Sequence, residues 1–232
     1  MNMKKNKLFS FFSFRRRGGF TLTEVLLAVM IVGLIAVALA ALTRAAARES
    51  GAGRSKIMLR NNLSTFVRTL RRDMSQATVV KSVSGAASCN ANSAVTLAQL
   101  AQNVDSSGNL IISTVWEDSS STTREATYIT YCFLCGADTT NISPSGAKRG
   151  GKIYRLTSNT SYPSCRNYAS GDLVLDNVKW ISGSYAVPYF GRDTISRSLT
   201  SSLLTVRIIT ELNTVPVMNE VIEETFAMPM GY

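Results

Sequence analysis

Residues 15–43 read RRRGGFTLTEVLLAVMIVGLIAVALAALT, and this stretch decides how the chain is organised. Eighteen uncharged residues run from Val25 to Leu42, directly after Glu24. Upstream of Glu24 there are six Lys and Arg residues and no acid. Phe20 to Thr43 would be about 36 Å long as a helix, which is enough to span the hydrocarbon core of a membrane. The sequence therefore predicts a membrane-length helix with one carboxylate at its head.

The position of Glu24 separates this segment from ordinary export signals. A secretory signal would use Val25–Val37 as its apolar core and Ala38-Leu39-Ala40 as its cleavage site. A plain signal anchor would keep the whole segment uncleaved in the membrane. Neither alternative explains a carboxylate whose insertion costs about 2–3 kcal/mol. An ionisable residue at such a position is by default a functional hypothesis.

The six residues Gly19-Phe20-Thr21-Leu22-Thr23-Glu24 resemble the class III signal of type IV prepilins and type II secretion pseudopilins. In that family a prepilin peptidase cuts between Gly and Phe and then N-methylates the new terminal Phe. The resemblance implies cleavage after Gly19 and N-methylation of Phe20. Two positions depart from major pilins: Thr23 replaces a usual apolar residue, and Ala41 stands where many have a kinking proline.

The same resemblance implies a role in assembly for Glu24, the fifth residue after the predicted cut. In the family this carboxylate pairs with the N-terminal ammonium of a neighbouring subunit, here that of Phe20, after the helix has left the bilayer. Two opposite charges in a low-dielectric core are tolerable only as a pair, so the contact sets axial register more than stability. The implied partners are prepilin peptidase, other pilin or pseudopilin subunits, inner-membrane lipid and an inner-membrane assembly platform.

The basic residues are distributed unevenly along the chain. Those of the leader satisfy the positive-inside rule, which predicts a single-pass bacterial inner-membrane protein whose globular domain lies outside the cytoplasm, before it enters a pilus or pseudopilus filament. Without the leader the net charge falls from +10 to +4. Residues 43–81 carry nine Lys and Arg against two acids, whereas the remainder is nearly neutral. This juxtamembrane stripe favours lipid headgroups or acidic subunits over nucleic acid as partners.

The chain contains no histidine, which argues against an enzyme. It excludes Ser-His-Asp and Cys-His nucleophile systems and any His-ligated metal site. We predict no catalytic residues, no cofactor and no metal site. Asp172 and Asp176 match no calcium-binding spacing, and we interpret them as ordinary turn and strand-edge acids. Glu220, Glu223 and Glu224 read as solvated acids at a sheet edge.

The cysteines all follow the membrane segment, and their even number favours disulfides in an oxidising compartment. Cys132 and Cys135 form a C-x-x-C pair, which could also indicate a redox centre or half of a zinc site. No helix, histidine or second C-x-x-C accompanies the pair, so we favour two separate bridges to Cys89 and Cys165. Sequence alone leaves all three pairings open.

Residues 44–80 are predicted to continue as an amphipathic helix, with Gly51 and Gly53 marking a bend or loosened turn. Its apolar positions recur every three or four residues and form one face that would cover a sheet. Four arginines fall outside this face and would be solvated or contact a partner: Arg60, Arg68, Arg71 and Arg72.

Beyond Val80 the pattern changes to short β-rich runs, which with the preceding helix predicts an α+β, type IV pilin-like fold. The helix would lie on an antiparallel sheet. The predicted strands are 94–97, 110–116, 126–134, 152–156, 173–181, 203–212 and 217–226, and the predicted polar connections are 135–151 and 157–172.

Several motifs of the second half resemble J-type pseudopilins and W-type minor pilins. They include Arg71-Arg72-Asp73-Met74, Ile129-Thr130-Tyr131 and Lys152-Ile153-Tyr154-Arg155-Leu156. The sequence thus predicts a minor pilin or pseudopilin, with a tip adhesin or DNA-uptake pilin as the alternative. The predicted organisation is a cleaved leader (1–19), a membrane or filament-core helix (20–43), an amphipathic helix (44–80) and an extracytoplasmic β-rich domain (81–232).

Overall fold

The computed structural model describes residues 21–81, 85–90, 92–104, 125–140, 145–192, 203–214 and 217–227. The chain divides into two compact units, Met1–Glu49 and Ser50–Tyr232. One helix, α1 (Leu22–Gln76), contributes residues to both units. It passes through Gly51 and Gly53 without interruption, so the predicted loosened turn there is wrong. Each glycine costs a helix only about 1 kcal/mol, and the neighbouring Ala52 and Arg54 are strong helix formers.

The part of α1 in the first unit is exposed along its whole length. It includes a stretch that is long and apolar enough to cross a membrane, and none of that stretch is buried. Large aliphatic side chains such as Leu34 and Val37 remain about 70% exposed. A helix that is apolar on all sides needs lipid or other helices around it. Its length and apolar character are those of a membrane-anchoring segment.

The second unit packs the C-terminal half of α1 on an antiparallel sheet, which confirms the predicted α+β, pilin-like fold. The strands of the sheet are β1 (Val79–Lys81), β2 (Val95–Val104), β3 (Glu125–Leu134), β4 (Lys148–Ser158), β5 (Asp172–Trp180), β6 (Tyr189–Arg192), β7 (Leu203–Leu212) and β8 (Met218–Ala227). Strands β1 to β5 pair in chain order. One side of β7 pairs with β5 and β6, and its other side pairs with β8.

The hydrophobic core lies between α1 and one face of the sheet. The apolar stripe predicted from helical spacing supplies the helix side of this core, including Leu63, Phe66 and Leu70. Alternate residues of the strands supply the other side; β3 contributes Ile129, Tyr131 and Phe133, all fully buried. The alternation of residue types that predicted β3 therefore reflects which of its side chains face α1.

Six of the predicted strands coincide with observed ones, and the seventh, 110–116, lies outside the described residues. Strands β1 and β6 were not predicted, because three or four residues show too little alternation. The predicted polar connections are partly wrong: β4 extends into both of them, and a 3-10 helix occupies Cys165–Ser170. Arg149 and Gly150 do not resemble strand residues, yet they lie in β4.

Candidate functional site

The first turn of α1 is closed by a reciprocal capping box between Thr21 and Glu24. The Thr21 backbone N–H donates to Glu24 Oε2 at 3.0 Å, and the Thr21 hydroxyl donates to the same oxygen at 3.1 Å. The Glu24 N–H donates to the Thr21 carbonyl oxygen at 3.0 Å and also lies 3.4 Å from Thr21 Oγ1. These contacts satisfy backbone donors that a helix start otherwise leaves unpaired. The carboxylate also lies at the positive end of the helix dipole.

This geometry shows how Glu24 is stabilised within a single chain. The family resemblance predicts a partner for this carboxylate only after assembly, and it gives no role to Thr21. The T-x-x-E spacing of a capping box was the signal that could have revealed it. The predicted cleavage and methylation residues, Gly19 and Phe20, lie outside the described residues, directly before the cap.

A second cluster joins the end of α1 to the sheet, and its centre is Asp73. This side chain is only 1% exposed. Arg155 Nε contacts Asp73 Oδ2 at 2.6 Å, and Arg155 Nη2 contacts Asp73 Oδ1 at 3.2 Å. The Tyr131 hydroxyl donates to Oδ2 at 2.6 Å, and Gln102 reaches the Asp73 carbonyl. We call these four residues the Asp73 cluster.

The main ionic partner of Asp73 comes from the sheet and not from the neighbouring arginines of its own helix. Arg72 lies 3.6 Å away but is 60% exposed, so its contribution is small. The bidentate partner is Arg155, which is partly buried and lies 82 residues away in the chain. Burial, together with the Asp73 carboxylate, raises the pKa of Tyr131 well above its ordinary value of 10.0. The hydroxyl therefore remains a donor to Asp73 at neutral pH.

Three residues of the Asp73 cluster come from three motifs that are far apart in the sequence. Asp73 belongs to the Arg-Asp-hydrophobe segment, Tyr131 to Ile129-Thr130-Tyr131, and Arg155 to the segment that begins at Lys152. Their side chains meet in one hydrogen-bonded group that fixes α1 on β3 and β4. What looked like three weak motifs is one structural contact.

All four cysteines form disulfides, as the sequence predicted. Cys89 pairs with Cys135, and Cys132 pairs with Cys165. Cys132 lies on the face of β3 opposite the core, where it contacts the 3-10 helix, whereas Cys135 follows the end of the strand. The two cysteines of the C-x-x-C pair therefore belong to different bridges. Each bridge joins segments that are distant in the sequence, 46 and 33 residues apart.

A buried ionic cluster around Glu211 was not predicted from the sequence. Glu211 of β7 accepts hydrogen bonds from Arg149 at 2.7 and 3.0 Å and from Lys179 at 2.5 Å, and all three side chains are at least nine-tenths buried. The Thr140 backbone N–H, assisted by Arg149, lowers the pKa of the nearby Asp138. The cluster joins β4, β5 and β7. No local pattern marks these residues, because they lie 32 and 62 residues from Glu211.

Three of the other acidic residues, Asp176, Glu223 and Glu224, also have structural contacts. Asp176 accepts a hydrogen bond from Asn62 at 3.2 Å, and Asp172 is exposed at the start of β5. Glu223 pairs with Arg207, and Glu224 pairs with Arg71, so these two acids of β8 are not simply solvated. Within the described ranges, no group of three or more His, Cys, Asp or Glu side chains is placed to hold a metal ion.

Comparison with known protein families found a match, and it lies near the N terminus. Residues 14–40 match the family model described as the prokaryotic N-terminal methylation motif. The comparison with curated proteins and that with solved structures found no match. The matched segment includes the capping box and the exposed apolar part of α1. It supports a pilin-like prepilin that is processed by a prepilin peptidase, anchored by its apolar helix and assembled with other pilins.

Proposed function

We propose that this protein is a minor pilin or pseudopilin, a structural subunit that is cleaved after Gly19, N-methylated at Phe20 and assembled through α1. The observation that carries the proposal is the methylation motif at residues 14–40, placed at the head of a fully exposed apolar helix. Such a helix has two suitable environments, the lipid bilayer and the interior of a helical filament. A subunit that moves from one to the other uses both.

Glu24 has a defined part in this proposal. In the bilayer, the Thr21 cap and the helix dipole offset the cost of its charge. After cleavage, the ammonium of Phe20 is a stronger partner than the neutral Thr21 donors, because it brings a full positive charge to the carboxylate in a low-dielectric environment. The cap would hold the Glu24 carboxylate oriented until a neighbouring subunit supplies that ammonium. Glu24 is therefore the proposed assembly contact.

The β-rich unit supports the finer assignment to a minor subunit. The segments that contain Asp73, Tyr131 and Arg155 resemble J-type pseudopilins and W-type minor pilins, and they converge on one buried contact. One buried contact would therefore account for the resemblance of all three segments. The domain boundaries that follow are the predicted ones, with a leader to residue 19 and a membrane or filament-core helix over 20–43.

The decisive experiment is mass spectrometry of the N terminus after coexpression with a prepilin peptidase. We expect a mature chain that begins at Phe20 with one added methyl group. A Gly19→Leu variant is the matched control and should keep its leader. An unprocessed wild-type chain, or a cut after Ala40, would contradict the proposal. Incorporation at low stoichiometry into filaments would then distinguish a minor from a major subunit.

A further inference from the structure

The two disulfides are interleaved along the chain. In sequence order the first cysteine pairs with the third, Cys89 with Cys135, and the second pairs with the fourth, Cys132 with Cys165. Neither bridge joins cysteines that are consecutive in the sequence. Four cysteines allow two other pairings, and each of those contains at least one bridge between consecutive cysteines. The observed pairing is therefore the one that oxidation in chain order does not produce.

The order in which the cysteines are exported favours a wrong first bridge. The β-rich unit follows the membrane segment, so Cys89 is exported first; this step rests on the proposed location outside the cytoplasm. When Cys132 and Cys135 follow, Cys165, the native partner of Cys132, has not yet been exported. The loops from Cys89 to these two cysteines differ in length by less than about a tenth, so closing either one costs nearly the same entropy. The unfolded chain therefore has no preference for the native Cys89–Cys135 bridge.

The fold distinguishes the two cysteines of the C-x-x-C pair only after β3 has joined the sheet. Cys132 lies in a small cluster with Leu156 and Cys165, whereas Cys135 belongs to the main core beside α1. Leu156 lies in β4 and Cys165 in the 3-10 helix, and both elements follow β3 in the chain. The contacts that assign each cysteine to its partner are therefore exported after the cysteines that they must direct.

We propose that a thiol–disulfide isomerase completes the pairing of this domain. Its substrate is the chain with Cys89–Cys132 and Cys135–Cys165 bridges, the isomer that pairs consecutive cysteines. A Cys89–Cys132 bridge turns Cys132 toward the main core, against which Cys89 packs. Such a turn reverses the faces of β3 and transfers its buried side chains to the other side of the sheet. The mispaired chain therefore cannot form the native sheet, and its bridges stay accessible.

Three exchange steps convert this isomer to the native one. The isomerase thiolate attacks Cys132 Sγ, which forms a mixed disulfide and releases the Cys89 thiolate. That thiolate attacks Cys135 Sγ, which forms the native Cys89–Cys135 bridge and releases the Cys165 thiolate. The Cys165 thiolate attacks Cys132 Sγ in the mixed disulfide, which forms the second native bridge and frees the isomerase. Each step breaks one S–S bond and forms one, so no oxidant or reductant is consumed.

Burial stops the exchange at the native pairing. In the folded domain Cys132 is fully buried, and Cys165 and Cys135 are only 6% and 7% exposed. An attacking thiolate needs access to a sulfur atom of the bridge. The native bridges are therefore poor substrates, whereas those of the mispaired chain remain open to attack.

The test expresses the full-length protein in a bacterium that has or lacks its periplasmic disulfide isomerase. Free thiols are alkylated, and the protein is digested with pepsin at low pH, which stops exchange because thiolates are protonated. Pepsin cleaves at Phe133 and Leu134, between the two cysteines of the C-x-x-C pair, so mass spectrometry can assign each bridge. Without the isomerase, we expect Cys89–Cys132 in about half of the chains, because the two loops close with nearly equal cost. With it, we expect the native pairs.

Native pairs in both strains would overturn the proposal and leave the location of the domain unaffected. No bridge in either strain would instead contradict the location outside the cytoplasm, and the proposal would fail with it. Reoxidation of the purified, reduced full-length chain in detergent micelles repeats the measurement without cellular proteases. There, added isomerase should convert the mispaired chains to the native pairs, and chains that pair correctly without it would also overturn the proposal.

Two controls separate exchange from other forms of assistance. Cys132→Ser/Cys165→Ser leaves Cys89 and Cys135 as the only cysteines, so their bridge should form equally with and without the isomerase. If this variant also needs the isomerase, mispairing is not the cause of the requirement. An isomerase whose attacking cysteine is replaced by alanine should not restore the native pairs of the wild-type chain. Restoration by that inactive enzyme would refute the exchange steps.

Discussion

At the scale of single residues, Glu24 is expected to affect assembly and not processing. Glu24→Gln keeps a hydrogen-bonding side chain at the cap but removes the negative charge. We expect normal cleavage and methylation of this variant, and at least about a tenfold loss of filament incorporation, the factor that corresponds to 1.4 kcal/mol. Mass spectrometry would measure processing, and immunoblotting of sheared filaments would measure incorporation.

Thr21→Ala is the matched control for Glu24→Gln. It removes the hydroxyl that contacts Glu24 and leaves the charge in place. Loss of an N-cap side chain costs about 1 kcal/mol of helix stability. We therefore expect a smaller loss of incorporation than for Glu24→Gln. If the glutamine variant assembles as well as wild type, the charge of Glu24 is not an assembly contact.

Asp73 is expected to be among the residues most important for the stability of the second unit. Replacing it with Asn leaves Arg155, whose side chain is 16% exposed, without its buried counter-ion. Breaking such a pair costs about 3–5 kcal/mol, of which we expect about 3 here because Arg155 retains some solvent contact. Denaturant unfolding monitored by tryptophan fluorescence would measure the loss. Arg72→Ala, at the exposed neighbour, should change the free energy of unfolding by less than about 1 kcal/mol.

The double variant Asp73→Leu/Arg155→Met separates charge pairing from packing. An apolar replacement of a whole buried pair is often close to neutral. We expect it to be more stable than Asp73→Asn. If Asp73→Asn were as stable as wild type, the bidentate contact would have no energetic role.

Tyr131 adds a dependence on alkaline pH. Its pKa is raised in the folded protein, first by burial and then by Asp73. The unfolded chain therefore loses this proton first, near its ordinary pKa of 10.0, and the free energy of unfolding decreases as the pH rises above that value. The stabilising contribution of Tyr131 is complete below about pH 10.

Tyr131→Phe should weaken this alkaline effect and carry a cost at neutral pH. The variant loses a hydrogen bond to a carboxylate, which is worth about 1.5–3 kcal/mol. Urea unfolding at pH 7 and at several values above pH 10 would measure both effects. An unchanged alkaline slope in the variant would show that other groups, such as Tyr162, whose pKa burial also raises, dominate it.

At the scale of elements, the two disulfides hold different parts of the sheet and should contribute separately. They join residues 46 and 33 positions apart in the chain. Loop closures of this size stabilise a folded domain by about 3–4 kcal/mol each. We expect Cys89→Ser/Cys135→Ser and Cys132→Ser/Cys165→Ser each to lower the melting temperature, with the quadruple variant lowest. Calorimetry would test this, and additivity would fail if either bridge forms only after the other.

The elements differ in how well the sequence predicted them, and the reason is physical. Long strands such as β3 bury alternate residues, so their pattern is visible in the sequence. The C-x-x-C pair was assigned to separate bridges because its surroundings lack a redox motif, and the structure confirms this. Gly136, beside that pair, could not be interpreted from sequence: a Cβ there would lie 1.9 Å from the Arg149 carbonyl oxygen, so only glycine fits.

At the scale of the whole molecule, the sequence predicted an apolar anchoring helix and a separate β-rich domain, but it did not predict the buried ionic contacts. The apolar run and its single carboxylate are local features, so composition alone identified them. The Asp73 cluster and the contacts of Glu211 join residues from distant segments, and only the folded topology brings them together. The membrane anchor and the β-rich domain could therefore be predicted from local sequence patterns. The contacts that fix one element on another could be identified only from the folded structure.

Membrane topology provides a test at this scale. We propose that residues 44–232 lie outside the cytoplasm. Protease added to spheroplasts should then degrade the β-rich unit, while a short fragment containing residues 22–43 remains protected in the membrane. A cytoplasmic protein is the control for intact spheroplasts. A full-length protected chain would contradict this orientation.

The attachment of α1 to the sheet has a mechanical consequence. Within the second unit, α1 ends at Gln76, and Asp73 lies in its last turn. Sliding this part of α1 along the sheet requires the Asp73–Arg155 ion pair to break. Beyond that point the disulfides limit how far the sheet can be drawn out, because each closes a covalent loop. Under tension, the chain is expected to yield first at the Asp73 cluster and to remain inextensible within the two disulfide loops.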